Sequence, residues 1–176
     1  NKRTDEALVM AKDCFQSKDD QPQAVALYAS MLDEKGQYQE AKIVLEKGLE
    51  RSPENVQLIF MLGTLFDRLG KKEQVIDTMK KVLSMEPNHI QSLNYLAFTY
   101  AELGKNLDDA EKYARKAFSL DNNDGYVLDT LGWIMYKRGK VKESIPLLES
   151  AFKKQPNESI IADHLGDAYK RNQLND

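Results

Sequence analysis

Glycine recurs through this chain at a nearly fixed interval. Gly36, Gly70 and Gly104 are 34 residues apart, and Gly139 follows after 35. A period of that length means one supersecondary unit stacked along a solenoid, because each copy by itself leaves an apolar face in water. The clearest copy runs from Gly125 to Pro156, GYVLDTLGWIMYKRGKVKESIPLLESAFKKQP, and reads as a helix, a glycine turn and a second helix. Its Leu131-Gly132 pair, Gly139 and closing Pro156 return upstream as Leu62-Gly63, Gly70 and Pro87.

Taken in order, Ala7, Ala11 and Cys14 share one helical face and predict an orphan second helix over 5–21. Full repeats follow at 22–55, 56–89, 90–124 and 125–158, and 159–176 is a partial repeat that stops after one helix. Each helix carries an apolar stripe at helical spacing, such as Val25, Ala29 and Leu32, or Val75, Met79 and Val82. The third repeat is one residue longer than the second. Gly70 to Gly104 keeps the interval of 34 while Val75 to Ala110 is 35, so the extra residue belongs in the turn between Gly104 and Ala110. The expectation is an all-α, right-handed superhelical solenoid of antiparallel helix pairs, a single domain over 1–176 that is a fragment of a longer protein.

The spacing has physical reasons. Ala29, Gly63, Ala97 and Gly132 are small enough to let the two helices of a repeat approach, while the larger stripe residues fill the space between neighbours. The recurring glycines supply a left-handed residue at the helix end, which side chains with a Cβ resist. Pro146 falls early in the second helix of the fourth repeat, and tolerance is expected there because the first amides of a helix lack acceptors anyway.

Several function classes are disfavoured by what the chain lacks. A net charge of -3, spread over both signs, is no footprint for nucleic acid or anionic lipid. No run approaches the roughly 18 apolar residues of a membrane helix. Cys14 is the sole cysteine, and as a continuation of the Ala7 and Ala11 stripe it reads as a small buried side chain. His89 and His164 lie in different repeats without metal-ligand spacing, so they read as ordinary surface or groove residues, and neither metal nor cofactor is expected. Asp121-Asn122-Asn123-Asp124-Gly125 begins like a calcium loop, but Gly132 stands where a bidentate Glu is required, so it reads as a polar turn between repeats. No nucleophile, base and orienting group come together, so the chain reads as a non-enzyme.

Leu128, Leu131, Gly132, Met135, Ser144, Leu148 and Pro156 resemble, in order and spacing, the tetratricopeptide repeat (TPR) pattern, and the resemblance covers essentially the whole chain. The aromatic first position of that pattern is occupied here by Val25, Ile59, Leu93 and Leu128. Two specialised uses of the fold find no match: the Lys, Asn and Arg clamp for a terminal carboxylate, and the run of Asn at the sixth position, which here reads Leu27, Met61, Tyr95, Thr130 and His164. The segment DGYVLDTLGW is similar to bacterial envelope TPR lipoproteins that act as adaptors. That similarity implies a periplasmic or outer-membrane-anchored location, with the cytoplasm as the alternative.

The resemblance also implies where a partner would sit. Positions two, five, nine and twelve of each first helix face the concave groove of the family's superhelix. Here they include Ser30 and Asp33, Phe60, Thr64 and Asp67, Gln91, Asn94 and Phe98, then Tyr126, Asp129, Trp133 and Tyr136. Phe60, Gln91, Asn94, Phe98, Tyr126, Asp129, Trp133 and Tyr136 are the candidate protein-binding residues, with aromatics concentrated where binding energy usually collects. Whether those aromatics bind a ligand or pack between repeats stays open. The implied function is a scaffold or adaptor binding a peptide or protein segment. The alternative is a structural spacer or self-associating scaffold whose open ends pair into a homo-oligomer.

Overall fold

The computed structural model describes residues 9, 11–13, 15 and 21–173, and they divide into two compact units, one through Glu86 and one from Pro87. Both are built from helix pairs. No strand occurs among the described residues.

In the first unit, α1 (Pro22–Glu34) turns into α2 (Tyr38–Arg51), and α3 (Val56–Arg68) into α4 (Lys72–Met85). Gly36 at φ 73° and Gly70 at φ 68° make the two tight turns, as their spacing predicts. Val25, Ala29 and Leu32 meet Ala41, Val44 and Leu45 in one core with Leu58 and Leu65. Ahead of α1, residues 9, 11–13 and 15 are helical, and the Phe15 ring lies 5.6 Å from that of Tyr28. The expectation for Cys14 lies outside the described residues.

The second unit contains α5 (Ile90–Leu103), α6 (Leu107–Leu120), α7 (Gly125–Lys137), α8 (Val141–Lys154) and α9 (Ser159–Gln173). The starts of α5 and α7 are capped by the polar residues that precede them. His89 Nδ1 accepts from the Ser92 amide at 3.2 Å, and Asp124 accepts from the amides of Tyr126 and Val127. Asp121 accepts in turn from Asn123 and Asp124, which makes the acidic segment the polar turn that was expected. The extra residue of this repeat does lie after Gly104. It is absorbed by Asn106 at φ 49°, the one non-glycine with positive φ among the described residues, and Asn is a residue that tolerates that region.

Packing around α7 explains its burial. It contacts α5, α6, α8 and α9, and every residue from Val127 to Met135 is buried. Gly132 is required at this crossing: a Cβ there would stand 2.8 Å from Leu148 Cγ on α8. Pro146 needs a correction. It is the sixth residue of α8, past the first amides, and the helix continues through it. Pro146 is exposed, so water on that side can replace the missing ladder bond, which is why the position tolerates proline.

Candidate functional site

The candidate residues of the second unit occupy the first helices, α5 and α7, with α9 beside them. Their exposure separates them into two layers. Gln91 and Tyr126 are exposed, the latter by 44%, and Asn94, Phe98 and Tyr136 are half-buried. Trp133 and Asp129 are only 6% and 4% exposed. In the first unit, Phe60 is half-buried on α3.

Beneath the open layer lies an interlocked polar and aromatic cluster. The Trp133 ring stacks on His164 of α9 at 3.9 Å between centroids and 12° between planes, and on Tyr136 at 4.8 Å and 8°. Phe98 of α5 approaches the same histidine at 6.2 Å, tilted. Trp133 Nε1 donates to Glu102 Oε1 at 3.2 Å, so its one polar group is satisfied as burial demands. Two cations cover the outer rings: Lys137 Nζ is 4.6 Å from the Trp133 centroid, and the Arg171 guanidinium carbon is 5.0 Å from that of Tyr136. Arg171 also donates to the Tyr136 carbonyl at 3.2 Å.

His164 departs from expectation. Read as a surface or groove residue, it is 5% exposed, and its Nδ1 faces both carboxylate oxygens of Asp129. A buried carboxylate needs such a partner because little water remains to solvate it. Burial holds the Asp129 carboxyl above its ordinary range, opposed by the hydrogen bond from His164. At the edge of the layer, Tyr126 donates its hydroxyl to Glu158 at 2.9 Å, and that bond is the main cause of a phenol raised above its usual value. Repeat arithmetic could have found the histidine: Asp129 and His164 occupy the fifth and sixth positions of successive repeats, 35 residues apart. Periodicity names such neighbours, but not which pairs turn toward each other.

Nothing in this cluster arranges a nucleophile with a base and an acceptor site. Among the described residues no grouping of His, Cys, Asp and Glu could hold a metal ion, and no helix is long and apolar enough to cross a membrane.

Residues 22–55 and 56–89 each match a family model of the tetratricopeptide repeat. Residues 22–89 are thus two tetratricopeptide repeats. A TPR repeat-containing protein of Pseudomonas aeruginosa is 34% identical over 59 residues, a stretch that is 34% of this chain and 10% of that protein. The fold is shared more widely than the letters. A TPR protein from Parabacteroides merdae superposes with a TM-score of 0.77 at 20% identity, covering 94% of this chain and 66% of the other. A TPR protein of Thermus thermophilus gives 0.73 at 18%, covering 96% and 91%. The APC/C Cut9-Hcn1 hetero-tetramer contains a chain that matches at 0.85 and 15%, covering 97% of this chain and 34% of that one. TPR solenoids generally mediate protein–protein interaction and are typically not enzymes.

Proposed function

We propose that this chain is a non-enzymatic TPR scaffold that binds an extended peptide or protein segment along the first-helix face of its second unit. The observation that carries the reading is the open row formed by Gln91, Asn94, Phe98, Tyr126 and Tyr136 above a buried layer of Asp129, Trp133 and His164. An extended segment needs donors and acceptors for its backbone and flat surfaces for its side chains. Gln91 is an exposed amide, and Asn94 Oδ1 has no hydrogen-bond partner among the described residues, so a small rotation of that amide offers it to an incoming N–H. Phe98, Tyr126 and Tyr136 supply the flat surfaces, and aromatic residues of this kind dominate interface energetics. Stacking on the layer below already restrains Tyr136, so binding costs less side-chain freedom than it would on a loose surface.

The test is selection of a random-peptide display library on the full chain, followed by affinity measurement on variants. Phe98→Ala and Tyr126→Ala are expected to weaken the selected peptides by about tenfold or more each, with the folded state intact by circular dichroism. Unchanged affinity in both variants would remove this face as the binding site. Mass that rises with concentration, with no peptide selected, would favour a self-associating scaffold instead.

A further inference from the structure

The first unit holds a cavity of about 210 Å³ between α1, α2 and α3. Ala29, Leu45, Met61 and Leu65 form its apolar walls. Its polar groups are Ser30, Asp33 and Thr64, which sit at groove positions nine and twelve of their repeats. Asp33 Oδ1 is buried and has no hydrogen-bond partner among the described residues.

The next repeat shows what is missing. Asp67, 34 residues after Asp33, places Oδ1 2.7 Å from the Nζ of Lys72. The residue 34 before Lys72 is Tyr38. The first repeat therefore keeps the carboxylate and replaces its cation with a phenol. A buried acceptor left without a donor is uncommon, and it is costly unless something outside the chain supplies the donor.

Size and lining narrow what that donor can be. Small-molecule pockets begin near about 300 Å³, whereas a cavity of about 150 Å³ already holds a single benzene ring. One side chain fits. Apolar walls suit the aliphatic stem of a lysine or arginine, and the charged head would then reach Asp33. Thr64 assists: its hydroxyl donates to the Met61 carbonyl at 2.8 Å, which leaves oxygen lone pairs for an N–H donor.

We infer that this cavity receives one basic side chain, lysine or arginine, from a segment of a protein partner, with Asp33 as its counter-charge. The inference rests on the reading of the first-helix face as the partner-binding face, and it names what the first unit selects.

The probes are acetylated, amidated pentapeptides Ala-Ala-Xaa-Ala-Ala, with lysine, arginine, norleucine or glutamate at the centre, titrated into the isotope-labelled full chain. Amide shifts are read by NMR. The lysine or arginine peptide is expected to shift Ser30, Asp33 and Thr64 saturably, and the norleucine and glutamate peptides to bind about tenfold more weakly or worse. Asp33→Asn, which keeps the shape and removes the charge, should lose a similar factor. Tyr38→Lys should block the site by supplying the cation from within, as Lys72 does for Asp67. If Tyr38→Lys does not fold, Asp33→Asn decides alone. Equal binding of the norleucine peptide, unchanged affinity in Asp33→Asn, or no shift at these amides with any peptide overturns the inference. Library peptides that still require Phe98 and Tyr126 would then leave the second-unit face standing, so the two readings fail separately.

Discussion

His164 Nδ1 lies 2.9 and 3.0 Å from the two carboxylate oxygens of Asp129, and the pair is buried where α9 meets α7. The imidazole is clamped twice, by the carboxylate at its edge and by the Trp133 indole on its face. Together with Arg171 on Tyr136, this residue ties the last described helix to the polar and aromatic layer of the second unit.

His164→Ala should therefore cost more than a cavity. It would leave the Asp129 carboxylate buried without its partner, and a loss of about 3 kcal/mol is expected. Urea unfolding followed by the fluorescence of Trp133, the sole tryptophan, measures it. A loss below about 1 kcal/mol would mean the pair contributes little.

The same pair gives a pH dependence with a defined sign. Burial raises the Asp129 carboxyl above its ordinary value. Between the ordinary and the raised value the folded chain holds a proton that the unfolded chain releases, so this group's contribution to stability falls as pH rises through that window. Acidification recovers it. Wild type is thus expected to gain stability relative to Asp129→Asn as pH drops from neutrality toward the carboxylate range. Urea midpoints of both proteins across that range are the check, and a flat or opposite trend would count against it.

Trp133→Ala should behave as a core substitution. The ring is 6% exposed and packed between other side chains, so a loss of about 3 to 5 kcal/mol is expected by circular dichroism in urea. Any loss of peptide affinity in this variant is expected to be smaller, once folding is restored, than in Phe98→Ala.

Two glycines at the same repeat position, each preceded by leucine, should respond oppositely. A Cβ on Gly132 would stand 2.8 Å and 2.9 Å from Leu148 carbons on α8, whereas a Cβ on Gly166 would meet nothing within 4 Å. Gly132→Ala is expected to destabilise by about 1 to 3 kcal/mol. Gly166→Ala should stabilise by about 0.5 to 1 kcal/mol, since alanine is the better helix former. Thermal melts of the two variants side by side decide it.

Leu131→Ala is expected to cost about 2 to 5 kcal/mol, because Leu131 is 3% exposed. Equilibrium unfolding of this variant tests whether the repeat stripe carries the core.

The helix pairs and their glycine turns were legible in the letters. The interval between glycines located the four left-handed glycines, and the change from 34 to 35 located the longer turn before α6. Both signals are local: a left-handed φ and an inserted residue depend on a few neighbours along the chain. Pro146 shows how local reasoning fails by a small margin, since the tolerance was right and the position within the helix was not.

The chain by itself determined the repeat, because a stripe of apolar residues at helical spacing has few ways to leave water other than stacking on the next copy. Which side chains of the first helices remain open was decided only by tertiary structure. Trp133 and Tyr126 share one predicted face, yet the indole is taken up by His164 while Tyr126 stays 44% exposed. Asp33 and Asp67 share one repeat position, yet Lys72 is there to meet only the second. The Asp67–Lys72 pair is only five residues apart and so is local, whereas burial of Trp133 and Asp129 depends on His164, which a neighbouring helix presents from 31 and 35 positions away.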